Sequence, residues 1–129
     1  MTPIACARRF YDAVARGDVP GVIDSLHPEL RWTEAEGFPY FSGTWTSPQE
    51  VVEKLLVPLG RDWNGFAAKP DEFLAQGAVV ITFGAYSGMN RATGKAMRAP
   101  FAHRWEVRED KLARFDMFTD TLLVDRAMR

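Results

Sequence analysis

One cysteine, Cys6, and two histidines are all the thiol and imidazole that the 129 residues carry. A lone thiol excludes an intrachain disulfide. No Cys/His spacing suits a structural metal, and no glycine-rich loop could cradle a phosphate, so neither a metal nor a cofactor is expected. Long apolar runs are missing too. Nothing approaches a membrane span, and the N-terminal MTPIACARRF lacks the oily stretch of a signal peptide, so a soluble cytoplasmic protein with no membrane partner is expected. Excess charge is also absent. Sixteen basic and 17 acidic side chains leave a net charge of −1, which gives no electrostatic reason for nucleic acid as a partner. There is no repeat, low-complexity run or linker, and residues 1–129 read as a single domain.

What is present is an ordinary globular composition, 47% hydrophobic and 26% charged, arranged in two kinds of periodicity. Ile4, Ala7, Tyr11 and Val14, with Phe10 alongside, follow helical spacing, and Gly17 and Asp18 can end that helix and cap a second one over about 19–26. ELRW then reads as extended. In TSPQEVVEKLLVPL, Ser47 is an N-cap, Pro48 takes the first helical position, and Glu50 closes a capping box, with Val51, Val52, Leu55 and Leu56 as the apolar stripe. From there the pattern is that of strands. FAAKPDEFLA is a strand edged by Pro70, and AVVITFGAYSG is the expected central strand, with a bulge or bend at Gly84. MRAPFAHRWEV and KLARFDMFTD follow, and TLLVDRAMR closes the chain as a helix. Helices followed by an antiparallel meander define an α+β layout.

The hairpin around RED can be read to the level of pairs. Phe101, His103, Trp105 and Val107 share one strand face, and Ala102, Arg104, Glu106 and Arg108 share the other. Pairing Arg108 with Leu112 sets Arg104 opposite Asp116 and Glu106 opposite Arg114, both opposite-charge pairs. It also sets Trp105 opposite Phe115 and His103 opposite Met117. One face is a ladder of charges, and the other is oily with a histidine inside it.

The stretches FYDAVARGDVPGVIDSLHPELRW, FSGTWTSPQEVVEKLLVPL and TGKAMRAPFAHRWEVREDKLARFDMFTDT resemble SnoaL-like, nuclear-transport-factor-2-like domains, the superfamily that includes ketosteroid isomerase. The resemblance implies a cone-shaped barrel: a curved antiparallel sheet packed on N-terminal helices around an internal pocket. It also implies a homodimer. The isomerase's base after the first strand matches Glu34, and its oxyanion-hole acid matches His103. Its first-helix tyrosine matches Phe10, with Tyr11 one residue off that face. The aspartate of the polyketide cyclases matches Met117, and the Asp-Arg-Asp set of the epoxide hydrolases matches His103, Phe101 and Met117. None of these familiar active sites is complete here.

The candidate catalytic residues are therefore Glu34, with Glu36 as a substitute, His103, and Asp120, which can equally N-cap the last helix. A carboxylate beside Trp32 is desolvated and becomes a better base near neutral pH, while a neutral imidazole donates, accepts or relays protons. Phe10, Trp32, Tyr40, Phe101, Trp105, Phe115 and Met117 are the expected pocket lining. Trp63 and Phe66 guard its mouth or meet a partner, and His27 is structural. The expected function is cofactor-independent acid–base chemistry (isomerisation, cyclisation or dehydration) on a small apolar oxygenated molecule. The alternative is a non-catalytic ligand-binding or dimerisation domain of the same fold.

Overall fold

A computed structural model describes all residues, 1–129. Helix α1 (Pro3–Arg16) starts on the Thr2 cap and stops at Gly17, whose φ of 66° is the left-handed turn that a glycine adopts without penalty. Asp18 accepts the Gly21 N–H and starts α2 (Val19–Ser25). Strand β1 (Leu26–Thr33) follows directly, then the short β2 (Thr44–Trp45). Ser47 caps α3 (Pro48–Val51), which passes through a π turn (Val52–Leu56) into α4 (Val57–Asp62). Within that turn Val57 N–H reaches back five residues to the Val52 carbonyl. Pro58 explains the widening: it has no N–H to donate, and its ring would strike the carbonyl four residues earlier in a regular helix.

Four strands complete the sheet: β3 (Trp63–Gln76), β4 (Val79–Asn90), β5 (Ala96–Arg108) and β6 (Lys111–Thr119), before the short α5 (Thr121–Ala127). The spatial order is β2-β1-β6-β5-β4-β3. The sheet is open and curved and packs on the N-terminal helices, as an α+β cone requires; the expected antiparallel pairing fails at one junction, which makes the sheet mixed. β1 runs parallel to β6. No hairpin joins these two strands, so nothing forces them to oppose each other. The central pair is β5 and β6, and β4 is one strand in from the β3 edge. The richness of β4 in β-formers suggests the centre, but only β3 lies beyond it on that side.

Helix α1 lies across the concave side of β3 to β6, where the core sits. Its apolar stripe is wide enough to bury Phe10 and Tyr11 together. Phe10, Trp32, Trp105 and Phe115 form a continuous aromatic cluster there, with Trp32 and Phe115 centroids 3.9 Å apart. Burying a side chain such as Phe115 stabilises the fold by about 1.5–3 kcal/mol.

The hairpin register has Arg104 opposite Asp116, Glu106 opposite Arg114, Trp105 opposite Phe115 and His103 opposite Met117, as the charge pattern requires. The end of the hairpin differs. Val107, not Arg108, faces Leu112, because Ala113 is extruded as a bulge. The two-residue turn Glu109–Asp110 takes positive φ at both positions (55° and 59°), the twist that favours tight hairpins.

Gly84 pairs with Phe101 on one side and Pro70 on the other, beside a register shift in β3. A Cβ there would meet the Lys69 carbonyl oxygen and stand 2.7 Å from the Phe101 ring and 2.9 Å from Pro70 Cα. The missing side chain is therefore what lets Phe101 lie flat within the sheet's inner face. Gly84→Ala is expected to cost at least the ~1–3 kcal/mol of an overpacked core position. A lowered urea midpoint measures it, and an unchanged midpoint would mean that β3 moves aside freely.

Candidate active site

The inner face of β5 carries Phe101, His103 and Trp105 in sequence, and His103 is 3% exposed. Phe101 stacks on the imidazole with centroids 3.8 Å apart and planes 6° from parallel. Two tyrosines hold the ring edges. Tyr11 Oη is 2.6 Å from Nδ1, and Tyr86 Oη is 2.6 Å from Nε2. Burial drives the imidazole well below its usual pKa, so it is neutral, with one N–H and one lone pair. Burial also pushes both tyrosines upward, Tyr86 further because the charges of Glu34 and Tyr11 oppose its ionisation.

The protons can be placed by elimination. The Trp105 indole N–H donates to Tyr11 Oη at 3.0 Å. If Nδ1–H also donated to Tyr11, the Tyr11 proton would be stranded, since the buried Thr82 hydroxyl near it completes no hydrogen bond. With the proton on Nε2, Tyr11 donates to Nδ1 and His103 donates to Tyr86. Every bond in the chain Trp105, Tyr11, His103, Tyr86 then runs in one direction. The Tyr86 hydroxyl proton is left over, on a residue that lines a cavity of about 50 Å³. Donor chains of this kind polarise each successive bond.

Glu34 lines the same cavity. It follows the last residue of β1 and keeps the inward alternation of Leu30 and Trp32. It is 4% exposed, and its Oε2 has no hydrogen-bond partner. Burial raises its carboxyl to a pKa of about 8; the Trp32 indole N–H opposes the shift without completing a hydrogen bond. A carboxyl of this kind exchanges its proton near neutral pH, which general acid–base work requires.

Glu34, His103, Phe10, Trp32 and Phe115 thus come together around one cavity. Phe101, Trp105 and Met117 support it from behind as buried neighbours of His103 and Phe115. Tyr40 does not face it: its hydroxyl donates to Asp62 at 2.8 Å and accepts the Trp63 indole N–H, and burial with that carboxylate raises it to about 12. Trp63 is accordingly a core residue, while Phe66 does line the cavity. Asp120 is exposed and accepts the Leu123 N–H as cap of α5, and Glu36 is exposed beyond the end of β1. Neither joins the cavity. His27 is buried at the sheet margin, accepting the Glu29 N–H at Nδ1 and donating to Glu109 from Nε2.

Two residues of the cluster were missed in the sequence. Tyr11 stands one position from Phe10, and a helical stripe about 100° wide covers the two together. Tyr86 shares the inward parity of Val80 and Thr82, but the outward residues Val79, Ile81 and Phe83 are just as apolar, so alternation alone does not choose the face of β4.

The curved sheet and the helices on its concave side define an α+β cone protein. The chain belongs to the SnoaL-like domain family, whose model matches residues 7–115. It is similar to an NTF2-like protein from Burkholderia thailandensis E264 at 39% identity, covering 100% of this chain and 98% of that one, with a TM-score of 0.94. An NTF2-like protein of unknown function from Burkholderia pseudomallei K96243 is 27% identical over 98% of both chains, with a TM-score of 0.88. An LEH-like epoxide hydrolase from M. tuberculosis shares the fold at 18% identity, covering 98% of this chain and 90% of that one, with a TM-score of 0.77. No curated protein matches the chain.

The pH dependence of stability follows from Glu34. Its carboxyl ionises near 4.5 in the unfolded chain and near 8 in the fold. Below about pH 4.5 both states hold the proton. Between these values only the unfolded chain releases it, so stability falls as pH rises and levels off above pH 8. The total loss is on the order of 4–5 kcal/mol at about 1.36 kcal/mol per pH unit. Urea unfolding at pH 5 and pH 8.5 should show most of this loss in the native protein and a much smaller one in Glu34→Gln. Coincident pH profiles would mean that the carboxyl reaches water.

Proposed function

We propose that the protein catalyses proton transfer at carbon next to a carbonyl group of a small, largely apolar molecule, without a cofactor. The observation that carries this reading is the pairing, in one largely apolar cavity, of a carboxyl that titrates near neutrality with a tyrosine hydroxyl at the end of a one-way donor chain. Glu34 in its ionised form takes the α-proton. Tyr86 donates a hydrogen bond to the carbonyl oxygen as negative charge collects there, and His103 and Tyr11 strengthen that bond from behind. Glu34–COOH then returns the proton to a different carbon, which is an isomerisation, or to a leaving hydroxyl, which is a dehydration. The cyclase-like and isomerase-like expectations share this enolate step.

The test uses 2-tetralone in D2O, with α-proton exchange followed by NMR. The native protein should accelerate exchange above buffer. Glu34→Gln should lower the enhancement by roughly 10²–10⁴-fold, the usual worth of a positioned base. Tyr86→Phe should lower it by roughly 10²–10³-fold, as for loss of an oxyanion donor. Exchange that is equally fast in Glu34→Gln would sink the reading. The small cavity volume favours a second reading, a non-catalytic domain, because ligand pockets are usually about 300–1,000 Å³; 2-tetralone that neither binds nor exchanges would support that one.

We also propose that a second copy of the chain covers the convex face of the sheet. Phe83, Ala102 and Phe118 lie in one cross-strand row there, with Phe118 59% exposed. Beside them Arg104, Glu106, Arg114 and Asp116 form a ladder of both signs, with Arg104–Glu106 and Arg114–Asp116 contacts of 2.9 Å. Such a mixed ladder is self-complementary under a twofold axis. Sedimentation should show a dimer for the native chain and a monomer for Phe118→Glu; a native monomer at high concentration would refute the interface.

A further inference from the structure

The cavity that holds Glu34 and Tyr86 has room for little more than a functional group, since one water occupies about 30 Å³. Directly beside it is an open depression of about 400 Å³. Four side chains wall both spaces: Val14 of α1, Leu56 of the π turn, Leu59 of α4 and Phe66 of β3. All four residues of this partition are apolar, and two of them sit on or just after the widened turn before Pro58. Rotamer changes there would join the two spaces into a volume typical of small-molecule sites.

The depression is lined by apolar residues and glycines with one exception, Arg91. Arg91 begins the turn after β4, where its backbone N–H donates to the Asp62 carbonyl at 2.9 Å and fixes its position. Its guanidinium is on an exposed residue and enters none of the ion pairs of the chain. A single unpaired cation beside an apolar trough is the complement of an apolar ligand with one anionic end.

Building on the proposed site, we infer that the substrate is an elongated amphiphilic carboxylic acid. Its oxygenated head enters the inner cavity beside Glu34 and Tyr86. Its apolar body passes the partition formed by Val14, Leu56, Leu59 and Phe66, and its carboxylate meets Arg91 at the far side. Arg91 then selects the substrate without taking part in the proton transfer, whereas Tyr86 touches the reacting end. The two ends of the ligand are recognised by different groups and can be tested separately.

The probes are ω-(4-hydroxyphenyl)alkanoates with side chains of three to seven carbons, and their methyl esters, titrated calorimetrically into the full chain. At least one acid in the series should bind, and its ester should bind at least tenfold more weakly. Arg91→Leu should abolish the difference between acid and ester while leaving the ester affinity unchanged, and Tyr86→Phe should weaken acid and ester alike. Equal binding of acid and ester in the native protein overturns the carboxylate assignment; if Tyr86→Phe still weakens both, the inner site stands. A charge preference that depends on Arg91 but is indifferent to Tyr86→Phe places the ligand in the outer depression alone, which overturns the spanning mode and the proposed inner head site together. Failure of every acid to bind also overturns the inference.

Discussion

The desolvation of one neutral histidine organises this protein's interior. His103 cannot hold a charge between Phe101 and the aromatic cluster, so it must satisfy both ring nitrogens with neutral partners. Tyr11 and Tyr86 do this from two different layers, one from the helix across the sheet and one from the neighbouring strand. The same burial that forces the histidine to be neutral forces the two bonds into opposite senses, donor on one side and acceptor on the other. Trp105 then decides which side is which, because an indole N–H can only donate. A requirement for satisfied buried polar groups thereby becomes a directed chain that ends at the cavity.

Glu34 is the complement of that chain. The network satisfies both ring nitrogens of His103 and leaves one proton over at Tyr86, and nothing in the fold pairs with Oε2 of Glu34. An unpaired buried acid costs stability, and such a cost is common where a group must be reactive rather than structural. Glu34 and Tyr86 face one small space: an acid that can lose its proton near neutrality, and a hydroxyl whose proton has no other protein acceptor. The surrounding aromatics lower the local polarity and so make both interactions stronger.

Backbone geometry places these groups. Gly84 and the β3 shift at Pro70 leave space for the Phe101 ring, and Phe101 in turn supports the imidazole. The parallel junction of β1 with β6 puts Trp32 beside Phe115 and brings Glu34, just beyond, to the mouth of the same aromatic cluster. Pro58 widens the helical turn that presents Leu56 to both compartments. Each feature is a local irregularity, and each faces the site.

Much of this was legible from residue order alone. Caps at Gly17, Asp18 and Ser47 announce helix ends because their chemistry is local, and the β5–β6 register follows from apolar faces that a one-residue slip would invert and from charge pairs that a two-residue shift would weaken. Glu34 and His103 stand out because each interrupts an apolar row. The bulge at Ala113 shifts the hairpin end without changing any of the charge pairs, so the pattern could not reveal it. Asp120 and Tyr40 were indistinguishable in sequence from site residues; a short-range cap and a contact to Asp62 claim them instead. The sequence by itself determined the helix ends, the order of helices and strands, and the inner faces of β5 and β6, since those depend on local chemistry and periodicity; it left the inner face of β4 open. Only the tertiary structure decided that Tyr11, His103 and Tyr86 form one chain, and that Glu34 remains unpaired, because partners 92, 17 and more residues apart are joined by packing that no local pattern encodes.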